Sequence, residues 1–233
     1  MANPAWYLDE FAHAGPEHLD EAYVEGYDRK AGTDWDAEVA ELRDLGLDET
    51  NTLVDLGAGT GGLALAAAPF CRRVVAVDVS PAMFAIIRDR AARQGLRNVE
   101  VVQAGLLSYE HEEEPADFVY SRHALHHLPD FWKAIALRRI AAILRLGGVL
   151  RLRDLIFSDS LDEVDRTIEA WLAGASTQPG VGWSRAELEA HLRDEFSTFT
   201  WLLEPMLEQA GFIVQANNSA SKIYADYVCV KAV

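Results

Sequence analysis

The sequence predicts an α/β chain: a doubly wound, mostly parallel, seven-stranded sheet of Rossmann-like type, with an antiparallel C-terminal strand pair and helical lid segments. Three observations predict it. Five short apolar runs lie between residues 52 and 156 with helical segments in three of the four gaps between them, the first run ends in a cluster of glycines, and a helix–glycine–strand pattern returns at Gly211-Phe212. Strands that are apolar throughout and joined by helices belong to a parallel sheet covered on both faces.

The elements follow in order. Asp36 to Leu45 carries Val39, Leu42 and Leu45 at near-helical spacing and stops at Gly46. Thr52 to Leu56 is a buried strand, and Gly62 to Phe70 a helix that ends near Pro69. Arg73 to Asp78 is the second strand. Ser80-Pro81 then supplies a helix N-cap followed by proline at the first helical position, and the helix runs to about Gln94 before Gly95. Val99 to Gln103 and Ala116 to Ser121 are the third and fourth strands. A helix from about Phe131 to Leu144 leads through Gly147-Gly148 into a fifth strand, Val149 to Ile156. Residues 158 to 195 are polar and helical. Phe199 to Gly211 is a helix, and Phe212 to Gln215 and Ala225 to Val230 form the closing antiparallel pair. The expected organisation is a lid segment over 1–45, an α/β core over 46–157, a helical insertion over 158–195, and core-completing elements over 196–233.

Composition narrows the function. The 233 residues carry 37 acidic and 21 basic side chains, a net charge of −16. That balance disfavours a nucleic-acid partner, which needs a basic face to neutralise phosphates. The short arginine cluster at Arg138, Arg139, Arg145, Arg151 and Arg153 reads as solvated helix and loop charge. No apolar stretch is long enough to span a bilayer, and no secretory signal is read at the start. The two cysteines, Cys71 and Cys229, form no ligand or disulfide pattern, which fits a reducing cytoplasm.

The glycine cluster carries the chemistry. A strand, then Gly57-Ala58-Gly59-Thr60-Gly61-Gly62, then a helix turns backbone N–H groups toward a ligand and permits an approach that a Cβ would block. Read as Gly57, Gly59 and Gly62, it matches the dinucleotide fingerprint, so a nicotinamide oxidoreductase stays open at this point. Asp78 ends the next strand, where an acid accepts hydrogen bonds from both ribose hydroxyls of a nucleoside.

Together, Val54-Asp-Leu-Gly-Ala-Gly-Thr-Gly61, Val77-Asp78-Val-Ser80 and Tyr120-Ser-Arg-His-Ala-Leu-His-His-Leu128 resemble the class I S-adenosylmethionine-dependent methyltransferases. The resemblance covers about residues 45 to 157 and continues at Gly211-Phe212. It implies S-adenosylmethionine as cofactor, S-adenosylhomocysteine as product and a small-molecule methyl acceptor. Asp55, two residues before the first glycine, favours this cofactor, since a carboxylate there would repel a pyrophosphate. The resemblance further implies that Gly57 to Gly61 pass beneath the methionine and ribose. Asp78 would hold the ribose, Val79 and Met83 would line the adenine, and Ser121 and Arg122 would contact the cofactor through backbone. Tyr27 would close over it. One departure stands out: Gly105 occupies the place where the family often has an acid for the adenine amino group, leaving only the backbone of Gly105 and Leu106.

His123, His126 and His127 follow the fourth strand. No cysteine or further nearby acid in the sequence completes a ligand set, so no metal is expected. His126 or His127 is expected to act as a general base or to position local groups. Tyr7, His13, Tyr23, Tyr27, Trp171 and Trp183 are the aromatic lid candidates. The competing readings are a cofactor-binding protein without methyl transfer, the oxidoreductase, and tRNA methylation. A homodimer remains compatible with the sequence.

Overall fold

β1 (Thr52–Leu56) is buried at every residue and sits near the centre of the sheet. The computed structural model describes residues 4–13, 28, 30–178, 180–219 and 221–233. The other strands are β2 (Arg73–Asp78), β3 (Val99–Gln103), β4 (Ala116–Arg122), β5 (Leu144–Phe157), β6 (Thr198–Phe199), β7 (Phe212–Asn217) and β8 (Tyr224–Lys231). The sheet order is β3-β2-β1-β4-β5-β8-β7, and the two-residue β6 pairs β5 off that path. All pairings up to β5 are parallel, while β8 runs antiparallel to both β5 and β7. This is the doubly wound sheet with an antiparallel end that the alternation predicts.

The α-helices are α1 (Trp35–Asp44), α2 (Gly62–Ala67), α3 (Pro81–Arg93), α4 (Asp130–Ile143), α5 (Val164–Ala173), α6 (Arg185–Asp194) and α7 (Thr200–Gln209). Val39, Leu42, Leu63, Ala64 and Ile87 from α1, α2 and α3 pack with Leu53, Val74, Ala76 and Phe118 in one core. Ala136, Leu137 and Ile140 of α4 and Leu203 and Leu207 of α7 pack with Val54, Val75, Val119 and Leu150 in another. The two sets are alternate strand residues, so the sheet is covered on both faces. Each fully buried leucine or isoleucine contributes about 1.5–3 kcal/mol to this arrangement.

Local chemistry sets the helix starts. The Ser80 hydroxyl accepts from the Met83 N–H (3.3 Å) with Pro81 next in line, and Asp34 accepts from the Ala37 N–H (3.1 Å). Ser184 and Glu187 form a capping box at α6. The fifth strand differs from its expected start. It begins at Leu144 rather than Val149, because Gly147 (φ 73°) and Gly148 absorb an irregularity in its pairing with β4 instead of ending a loop.

Residues 158–199 contribute α5, α6 and β6. They pack through Val164, Ile168, Trp171, Leu192 and Phe199 on a small separate core of Leu155, Phe157 and Ile223. Among the described residues, no helix is long and apolar enough to cross a membrane, and Cys71 and Cys229 are free and buried.

Candidate functional site

β1 is flanked by β2 on one side and β4 on the other, so the chain order reverses there. In an open parallel sheet, the carboxyl ends of strands at such a reversal leave a crevice. The glycine turn lies at the end of β1. Gly57 and Ala58 both donate their N–H to the Val77 carbonyl (2.9 and 3.0 Å), which folds the turn toward β2. Gly57, Gly59 and Gly61 all have positive φ (76°, 54° and 83°). A Cβ at Gly57 would collide with the Ala124 methyl, so glycine lets the ends of β1 and β4 approach. At Gly59, nothing lies within 4 Å of where a Cβ would be. That glycine faces open space.

Two carboxylates sit below this turn. Asp78, at the end of β2, accepts from the Gly59 N–H (2.8 Å) and the Ser80 N–H (2.9 Å), leaving lone pairs on both oxygens. Burial pushes its pKa up to about 6, against the pull of those two N–H groups. Asp55 is 2 % exposed, and its Oδ2 is buried without a hydrogen-bond partner. Burial, and then the Asp78 charge, raise its pKa to about 7. Two acids forced together in a low-dielectric pocket create a strong preference for a cationic or multiply donating ligand.

Above them opens a cleft. Of the residues expected to hold a cofactor, Gly57, Gly59, Asp78, Val79, Met83, Gly105, Leu106 and Arg122 line it, as does His127. Asp55, Ala58, Thr60, Gly61, Ser121 and His126 stand behind the lining. The Thr60 hydroxyl bonds to the Asp28 carboxylate, Gly61 packs on Ile87, and Ser121 is fully buried on β4. Tyr27 and Tyr23 lie outside the described residues, as does the side chain of His13. The cleft also uses Glu10, Ser80, His123 and Ala124, which carried no expected cofactor or catalytic role. The facing of Ala124 and Gly57 becomes visible only in the fold.

The acids missing from the sequence around the histidines arrive from elsewhere in the fold, Asp154 from β5 and Glu195 from the end of α6. His126 Nδ1 lies 2.5 Å from Asp154 and Nε2 lies 3.1 Å from Glu195. Burial opposes its charge, but the two carboxylates outweigh that and raise its pKa to about 9. Asp154 also accepts from the N–H groups of Leu125 (2.7 Å) and Leu155 (2.7 Å), and His191 reaches Glu195 from α6. Both ring nitrogens of His126 are therefore engaged in a buried ionic cluster. His123–His126–Asp154 and His126–His127–Glu195 each place three ligand-type atoms within 4.8 Å of one another. The expectation that no acid completes a set is corrected on this geometry. His123 lines the cleft at φ 52°, the one non-glycine with positive φ among the described residues, and its Nδ1 is buried without a partner. Burial is the main cause of its depressed pKa, about 3.

Two segments flank the cleft. Asp28 pairs with Arg90 (2.7 Å), and Lys30 pairs with Glu187 and lies 4.5 Å over the Trp183 ring. Tyr7 donates to the Leu107 carbonyl (3.2 Å) and packs edge-on against Trp132. Trp171 packs edge-on against His191.

Comparison with known proteins agrees with this fold. Residues 53–148 match the model of a methyltransferase domain. The methyltransferase YcgJ of Bacillus subtilis is 31% identical over 122 residues, 49% of this chain and 47% of that protein, so that match spans about half of each. A methyltransferase of Bacillus cereus is 27% identical over 211 residues, covering 89% of this chain and 88% of its own. Among solved structures, the magnesium protoporphyrin IX methyltransferase of Synechocystis, with S-adenosylmethionine bound, superposes with a TM-score of 0.66 at 14% identity, covering 98% of this chain and all of that one.

Proposed function

We propose that this chain, whose residues 53–148 match a methyltransferase-domain model, is a class I methyltransferase that transfers a methyl group from S-adenosylmethionine to a small-molecule acceptor by direct displacement. The observation that carries the reading is the pair of buried acids beneath the glycine turn, one with an unpartnered oxygen. A ligand with a cationic amino-acid end and a ribose diol fits both. The open space over Gly59 fits a ligand lying directly on the turn. The cofactor supplies a methyl group on a sulfonium, whose departure leaves a neutral thioether. Little charge therefore has to be stabilised, and the chain's work is alignment and exclusion of water.

Each residue takes a definite part in that work. Asp78 holds the ribose hydroxyls through its remaining lone pairs, and Asp55 balances the ammonium. Val79, Met83 and Leu106 would line the base, and the backbone of Ser121 and Arg122 would contact the cofactor. His123 and His127 face the acceptor, and the neutral imidazole of His123 accepts a hydrogen bond from its nucleophilic O–H or N–H at Nδ1. His126 positions that loop from behind. The lid role of residues 1–45 and 158–195, the small size of the acceptor and a cytoplasmic location belong to the same proposal. The acidic net charge and the two buried free cysteines support it.

Titration calorimetry with S-adenosylmethionine and S-adenosylhomocysteine, followed by mass detection of methylated product over an acceptor panel, tests the reading. Binding with product formation is expected, and binding of NAD in place of either nucleoside would end it. Asp78→Ala is expected to weaken S-adenosylhomocysteine by about 1.5–3 kcal/mol through the lost charged hydrogen bonds. An unchanged affinity would place the ribose elsewhere.

A further inference from the structure

Gly105 has no side chain to offer the cleft, and its backbone is already engaged. Its N–H donates to the Ser108 hydroxyl (2.9 Å), and its carbonyl accepts from the Tyr109 N–H (3.0 Å). The space a Cβ would fill is taken by the carboxylate of Glu10, with which such an atom would collide. Glu10 opens a short 3-10 turn, Glu10–His13, far from Gly105 in sequence. Its Oε2 accepts from the Leu107 N–H (2.9 Å), while its Oε1 is buried with no hydrogen-bond partner. The approach is anchored, because Tyr7 donates to the carbonyl of the same Leu107 (3.2 Å) and stacks its edge on Trp132. Leu107 thus fixes the segment through both of its backbone groups.

An ionised carboxylate only accepts hydrogen bonds, and a buried oxygen left without a donor carries a desolvation cost that a ligand N–H would remove. Glu10 shares the cleft lining with Asp78, and Val79, Met83 and Leu106 supply apolar wall to the same cleft. A flat heterocycle bearing one exocyclic amine suits that combination, with its sugar toward Asp78 and its amine toward Glu10. We propose that Glu10 accepts a hydrogen bond from the adenine amino group of the bound cofactor, supplying from the N-terminal segment the acceptor that Gly105 lacks. This assignment rests on the reading that S-adenosylmethionine occupies the cleft. It also makes nucleoside selection depend on the docked N-terminal segment rather than on the sheet alone.

The test is a ratio of dissociation constants measured by calorimetry on the full chain. One ligand is S-adenosylhomocysteine, and the other is its analogue with hydrogen in place of the adenine amino group. The wild type is expected to prefer the amine-bearing ligand by about 10- to 100-fold, the size of one hydrogen bond to a charged group. Glu10→Ala should bring the ratio close to one. Gly105→Ala, which displaces the carboxylate without altering it, should lower the ratio as well and add nothing further in the Glu10→Ala background. A wild type that binds both ligands tightly and equally, or a Glu10→Ala variant that keeps the wild-type ratio, overturns the proposal and leaves the cofactor reading standing. A wild type that binds neither ligand overturns both.

Discussion

Replacing His126 with alanine is expected to destabilise the protein by about 3–5 kcal/mol at neutral pH, the range for removing one partner of a buried ion pair. The substitution leaves Asp154 and Glu195 facing each other's surroundings without the imidazolium between them. It also unties α6 from the loop after β4, because Glu195 is the group that bridges to His191. The pH dependence identifies the cause. His126 has its pKa raised to about 9, above its ordinary 6.5, so its contribution is complete below pH 6.5 and is lost as the pH climbs through 9. The gap between wild type and variant, read from denaturant melts, should therefore narrow over that interval. Asp154 and Glu195 behave oppositely. Burial resists their ionisation, but the histidines hold both carboxyls well below their usual range, so their contribution fades only in acid. A variant that keeps wild-type stability at neutral pH would show that the His126 imidazolium does not hold this cluster together.

Asp55→Asn should move stability and binding in opposite directions. Burial and the neighbouring Asp78 raise the Asp55 pKa from 3.8 to about 7, so the folded protein resists its ionisation. Such a group favours folding below the ordinary carboxylate range and loses that benefit as the pH rises through 7. At pH 8 the ligand-free variant should be more stable than the wild type, by up to about 4 kcal/mol, and at pH 4 the two should converge. The same change removes the negative charge facing a cationic ligand, so affinity for S-adenosylmethionine should fall at least about tenfold. Thermal melts at the two pH values, with calorimetry at pH 8, decide the matter. A variant that melts with the wild type at pH 8 and binds as tightly would show that Asp55 is neither strained nor used.

Much of the fold was legible because its signals are local. The apolar strands, the Ser80-Pro81 helix start and the glycine stops each act within a few residues, and the order of β1 to β5 follows from their alternation. The start of β5 was misplaced because two glycines have the same appearance in a loop and in an irregular strand. The floor of the site was legible for a similar reason, since Asp55, Gly57, Gly59 and Asp78 belong to two adjacent strand ends. Its walls were not. Glu10 reaches Leu107 across 97 residues, and Asp154 and Glu195 meet His126 only through tertiary packing. No periodicity or spacing encodes such meetings. The histidine run looked like a short motif with no acids, and folding supplied them from two other elements.

The pair of contacts made by Asp28 and Lys30 has a mechanical consequence. Asp28 grips Thr60 in the glycine turn and Arg90 on α3, while Lys30, two residues later, grips Glu187 and Trp183 at the start of α6. A displacement of that short stretch pulls on both ends together. The glycine-turn side and the α6 side of the molecule are joined like two doors on a single bolt, so neither can shift without loading the other.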